Sequence, residues 1–166
     1  MRPHMGQKKW LAVQKNCMVR FSILLPNPGI TARVFQRIRS GILEQKFLSK
    51  AKENLRIAQM SFEHQCYNAC ANRAYFASFQ AAIAALVSKG VSRGKFDHKW
   101  VQAEFNGKLI RRQKVYPAKL RSYLLEMQLI RNMADYEGEA VTRKDASQQI
   151  RKAEEMLRLI KKGIGK

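Results

Sequence analysis

Arg131 is the residue of this chain that most needs a chemical reason. It lies in "LIRNMADYEGEAVT", residues 129–142, four positions after Met127 and three before Ala134. That spacing puts it on or beside an apolar helical stripe. An unpaired guanidinium there is too costly to keep, so it needs an anionic partner or a wet cleft. Asp135 stands one turn further on and offers an i,i+4 pair, worth about 0.3–0.5 kcal/mol if exposed. Glu63, Glu126 or a second copy of the chain are the other candidates. One reading is an ion pair that locks two helices. The other is that Arg131 faces a cleft or a dimer seam and meets a phosphate. Asn132 and Tyr136 share that helix; Asn132 diverges from Arg131 by about 100°, yet both can line one groove.

Two further places carry polar chemistry. In "YNACANRAYFASF" the residues Asn68, Asn72 and Arg73 interrupt an otherwise apolar helix. Asn72 and Arg73 lie in the same turn as Tyr75. From there they can hydrogen-bond into the helix of Arg131, as a register-fixing polar network or as part of a binding site. His98 follows Asp97 at the start of another helix, where the helix dipole disfavours the imidazolium. It suits a capping histidine, a phosphate contact or a general base.

These side chains need helices to position them, and the sequence supplies about five. Phe47/Leu48, Ala51, Leu55, Ala58 and Phe62 recur at three-four spacing. "YNACANRAYFASFQAAIAALVSKG" reads as a central, alanine-rich helix ending at Gly90. "HKWVQAEFNGKLI" is a shorter piece, followed by a basic loop, "RRQKVYPAKL". Leu120, Tyr123/Leu124, Met127, Ile130 and Ala134 face inward on the next helix, which frays at "DYEGEA". Thr142 with Asp145 resembles a capping box and opens a last helix, whose inward residues are Ala146, Ile150, Ala153, Leu157 and Ile160. No alternating strand pattern appears after residue 40, so the expectation is an all-α antiparallel bundle with short connections. Residues 42–163 form its domain, and residues 1–41 form a basic extension, poorly ordered or partly helical.

Charge points to the partner class. The 166 residues carry 32 Lys+Arg against 12 Asp+Glu, a net of +20. Residues 1–40 hold eight of the basic residues and no acid. Such a balance favours RNA, DNA or an acidic partner. No apolar run reaches the roughly 18 residues that cross a bilayer, which implies no membrane and a cytoplasmic location. Cys17, Cys66 and Cys70 give no paired framework and read as small core residues in a reducing compartment. His4, His64 and His98 are scattered, so neither a metal site nor a cofactor is expected.

The ordered pieces "AKENL", "YNACANRAYFA", "H…V…F" and "R…ADY", spread over Glu44 to Ile160, resemble the HEPN superfamily. The likeness is greatest to its small stand-alone proteins often encoded beside minimal nucleotidyltransferases. The resemblance implies a homodimer that binds RNA or a nucleotide in a basic cleft, within a toxin–antitoxin or defence-type module. It also implies metal-independent endoribonuclease chemistry, in which the RNA 2′-OH attacks the adjacent phosphate. There Arg131 and Asn132 match the Arg and polar positions of the family's motif, and Tyr136 stands where a His is common. A free tyrosine titrates near 10 and shuttles protons poorly at neutral pH. The departure leaves three alternatives: His98 serves in the cleft; the domain is a non-catalytic module docking a nucleotidyltransferase; or the chain is a basic helical nucleic-acid binder led by its arm. Some paired nucleotidyltransferases modify a tyrosine near this motif, and Tyr136 lies two positions before the usual target. The expected site residues are thus Arg131, Asn132, Tyr136 and His98 for catalysis, with Arg73, Asn72 and Asp135 joining Arg131 and Asn132 in binding.

Overall fold

A computed structural model describes residues 32–136 and 140–165. The chain divides into two units, residues 1–36 and 37–166, and the second carries the bundle. Most of the expected basic extension, residues 1–31, lies outside the described residues, as do residues 137–139 of the "DYEGEA" stretch. The architecture is all-α, and no strand occurs among the described residues.

Helix α1 runs Ala32–Glu63 and passes through the expected domain start at residue 42. It buries Leu48, Ala51 and Ala58, with Phe47, Leu55 and Phe62 packed at the edge of the core. Helix α2 runs Tyr67–Ser88 and is the centre of the fold. Seven of its alanines, Ala71, Ala74, Ala77, Ala81, Ala82, Ala84 and Ala85, have no exposed surface. Small side chains let neighbouring helices come close, and alanine costs least in a helix. The helix stops where Gly90 enters the left-handed region at φ 73°. That turn lets the Val91 N–H reach the Leu86 carbonyl at 2.9 Å.

Helix α3, His98–Glu104, starts at an Asp97 cap whose carboxylate accepts the Trp100 N–H at 2.9 Å. It then widens into a π-helical stretch, Phe105–Arg112. Arg111 and Arg112, read from sequence as loop, therefore belong to a helical segment. The reason lies in spacing: Phe105, Leu109 and Ile110 are buried, and steps of four to five residues stack on one side of a π-turn.

Helix α4 spans Leu120–Tyr136, and α5 spans Arg143–Ile164. Side-chain pairs fix their directions. Asn72 meets Asp135 and Ser78 meets Met127, so α2 and α4 are antiparallel. Tyr123 and Lys119 meet Glu155, and Glu126 meets Lys152, so α4 and α5 are antiparallel as well. The buried stripe of α5 uses Gln149 and Met156 beside Ala146, Ala153, Leu157 and Ile160, whereas Ile150 is only half-buried. Of the cysteines, Cys70 is buried but Cys66 is exposed at the start of α2, which corrects its reading as a core residue. Cys70 offers its thiol to the Ala146 carbonyl at 3.8 Å. Among the described residues no helix is long and apolar enough to cross a membrane.

Thr142 caps α5 as its position suggests, its hydroxyl accepting the Asp145 N–H at 3.1 Å. Thr142→Ala leaves that N–H to water and should cost about 1 kcal/mol in denaturant unfolding. An unchanged midpoint would show that the cap contributes nothing.

Candidate functional site

Arg131 is held at the end of the bundle where α2 begins and α4 finishes. Its side chain keeps only 19% of its surface. The Nε lies 2.8 Å from Asp135 Oδ2, an i,i+4 ion pair on α4. The N–H is not aimed at that oxygen, so the attraction is electrostatic and the Nε hydrogen stays without a true hydrogen bond. One terminal nitrogen donates to Asn132 Oδ1 at 3.3 Å. The guanidinium lies near two aromatic rings, its carbon 5.7 Å from the Phe76 centroid and 5.4 Å from that of Tyr136. Cation–π attraction of this kind helps retain the charge in a partly dry place.

Asp135 is shared. Asn72 Nδ2 on α2 donates to both of its oxygens, at 2.9 and 3.1 Å. Asp135 therefore keeps hydrogen-bond partners even when the guanidinium turns to another anion. Arg73 takes no part in this arrangement and points instead to Asn54 Oδ1 on α1, at 3.4 Å. Asn68 accepts the Val141 N–H at 2.8 Å and ties the start of α2 to the segment before α5.

His98 enters the same neighbourhood from α3. Its ring lies 4.6 Å from that of Phe79, 5.5 Å from Tyr75 and 6.4 Å from Phe76. Phe76 thus neighbours both the imidazole and the guanidinium. His98 Nδ1 is 2.6 Å from the Tyr75 hydroxyl. Burial first, then the charge of Arg131, hold the His98 pKa below its usual 6.5, against the opposing pull of Asp97. Asp97 is itself occupied by the α3 cap and by Arg93 at 3.2 Å. Burial pushes the Tyr75 phenol up to about 12, so it stays protonated near neutrality. Behind it, Gln102 and Gln128 join α3 to α4 at 2.6 Å.

The chemistry follows from these contacts. Arg131 can hold a phosphate oxygen. A neutral His98 can move a proton at Nε2, the ring nitrogen that Tyr75 leaves free. For Nε2 to accept a proton, Nδ1 must carry its hydrogen and give it to the Tyr75 oxygen. Four expected site residues gather here with His98: Arg131, Asn132, Asp135 and Asn72. Tyr136 keeps its ring centroid 5.4 Å from the guanidinium carbon and remains 75% exposed. Phe76 and Tyr75 escaped the sequence reading as site residues. They lie on the apolar helix, and only the placement of α3 and α4 brings them to His98 and Arg131. Among the described residues no three His, Cys, Asp or Glu side chains cluster to hold a metal ion.

A low folded pKa makes His98 a source of acid sensitivity. The unfolded chain takes up this proton near pH 6.5, whereas the folded chain takes it up only lower. Stability should therefore fall as pH drops from 6.5 through the folded value, then level off. Denaturant midpoints from pH 7.5 to 5 should show this slope in the native chain and lose part of it in His98→Ala. Equal slopes in the two would contradict the assignment.

Comparison with curated proteins gives no match. A family model described as the HEPN domain matches residues 44–163, nearly the span over which the sequence resembles that family. With most of its length inside that model, and with a strand-free helical bundle around Arg131, the chain belongs to the HEPN domain family.

Proposed function

We propose that the protein binds RNA at Arg131 and cleaves it without a metal, as a dimer within a toxin–antitoxin or defence-type module. The observation that carries this reading is the shared neighbourhood of a partly desolvated Arg131, close to two aromatic rings, and a His98 whose pKa is held below its usual 6.5 by burial and by Arg131. In the proposed step, His98 Nε2 takes the proton from the RNA 2′-OH. The 2′-oxygen bonds to phosphorus, and Arg131 balances charge on the phosphate oxygens. The P–O5′ bond then breaks, and the leaving oxygen receives a proton from the imidazolium or from water. Asn132 and Asn72 line the site, and Asp135 releases the guanidinium to the incoming phosphate. In the dimer a second copy brings an equivalent set to the same cleft.

Incubating end-labelled RNA with the full chain in EDTA tests the reading. It should yield products with 2′,3′-cyclic phosphate and 5′-hydroxyl ends. Intact RNA at high protein concentration would reject the catalytic step.

One observation favours a second reading. The Tyr136 ring is three-quarters exposed beside a guanidinium, a setting in which a hydroxyl can take a nucleotidyl group. Here the domain docks a minimal nucleotidyltransferase and Tyr136 is its target. Mass gain on Tyr136 after incubation with such an enzyme and ATP would support it, and an unmodified chain would remove it.

A further inference from the structure

The end of the bundle away from Arg131 carries a second cationic feature. A pocket of about 460 Å³ opens where α2 and α5 end and where Pro117 leads into α4. Lys89, Lys114 and Lys162 line it, each from a different part of the fold. None of the three is in an ion pair among the described residues. Lysines at helix C-termini also offset the dipole, which accounts for Lys89, just past α2, and Lys162, in the last turn of α5. It does not account for Lys114, whose φ of 51° puts a long side chain in the left-handed region at a cost of about 1–2 kcal/mol. That backbone is pinned by Val115 N–H to the Leu109 carbonyl at 2.8 Å and Gln113 N–H to the Lys108 carbonyl at 2.9 Å.

Tyr116 supplies the independent pointer to a ligand. It lines the same pocket and is 4% exposed, and its hydroxyl has no hydrogen-bond partner. A buried unpaired hydroxyl is unfavourable unless something is there to receive it. Gly163 makes room for it: a Cβ there would lie 2.6 Å from Tyr116 Cε1 and 2.9 Å from the hydroxyl oxygen. The nearby acid is Glu44, whose charge acts on both Lys89 and Tyr116. The lining itself holds three ammonium groups and no carboxylate side chain, which makes it positive.

We propose that this pocket is a second anion site, separate from Arg131, that takes the phosphate of a nucleotide, free or at the end of an RNA chain. Lys89, Lys114 and Lys162 surround the phosphate oxygens, and the Tyr116 hydroxyl donates to one of them. Along α4 the pocket and Arg131 are about 20 Å apart at 1.5 Å per residue, so the two sites can be tested independently.

Calorimetric titration of the full chain with ATP, and with a short RNA bearing either a 5′-phosphate or a 5′-hydroxyl, tests it. Lys114→Gln with Lys162→Gln should weaken binding of the phosphorylated probe by about tenfold or more. Tyr116→Phe keeps the ring stacked on Phe105 at 5.5 Å and should melt no lower than the native chain, yet weaken binding several-fold. Arg131→Ala should leave ATP binding in place. ATP binding without discrimination between RNA ends assigns a free nucleotide, and preference for the 5′-phosphate assigns an RNA end. Lys50→Gln with Lys52→Gln removes equal charge from α1. An equal loss in that pair would reduce the effect to diffuse electrostatics and overturn the proposal. So would loss of ATP binding in Arg131→Ala, or no binding of any probe.

Discussion

Arg131→Ala should slow RNA cleavage by about 100- to 1,000-fold, the usual cost of losing one preorganised charge donor at a reacting phosphate. The fold should survive the change. The guanidinium makes an ion pair, one long hydrogen bond and two ring contacts, but it is not the sole partner of any buried group. Asp135, which loses its cation, keeps both hydrogen bonds from Asn72. Helical circular dichroism and melting should therefore stay close to those of the native chain while initial cleavage rates collapse. Arg131→Lys should recover little of the rate, because a lysine keeps the charge but not the planar fork of donors that meets a phosphate. Full activity in Arg131→Ala would remove the residue from the chemistry. Loss of activity together with loss of helix would make it a structural ion pair.

The largest effect on stability should come from Phe105→Ala. Phe105 has no exposed surface and stacks on Tyr116, with ring centroids 5.5 Å apart and planes at 22°. It also opens the π-helical stretch, whose Leu109 and Ile110 are buried with it. Removing a buried phenyl ring costs about 3–5 kcal/mol through lost transfer energy and the cavity left behind. That is a large share of the roughly 5–15 kcal/mol that holds a domain folded. At this size the melting temperature should drop by roughly 10 °C. A drop of only a degree or two would mean that the π-helical stretch repacks around the gap.

Much of the bundle is legible in the chain because it is written in local spacing. The alanine run of α2, the Gly90 stop, the Thr142 cap and the inward stripe of α4 each depend on residues a turn or two apart. The π-helical stretch is less legible, since a wider turn becomes favourable only when Phe105, Leu109 and Ile110 have a core to enter. The site divides the same way. The Arg131–Asp135 pair is visible as an i,i+4 spacing, and Asn72 could be placed near it. That Asn72 rather than Arg73 reaches Asp135 depends on the rotation of α2 against α4. The bond between His98 and Tyr75 joins residues 23 apart on different helices, and no periodicity carries it.

The central claim is that Arg131 and His98 act on one phosphate, and the imidazole itself can report on it. The chain has three histidines, so His98 can be assigned in an NMR spectrum by its loss in His98→Ala. An RNA with a 2′-deoxy sugar at the scissile position binds but cannot react. On its addition the His98 ring signals should shift and its pKa should rise toward the ordinary value, as phosphate offsets the repulsion from Arg131. The same addition to Arg131→Ala should leave His98 largely unmoved. A His98 signal that ignores the RNA in the native chain, while binding is measured by other means, would contradict the account.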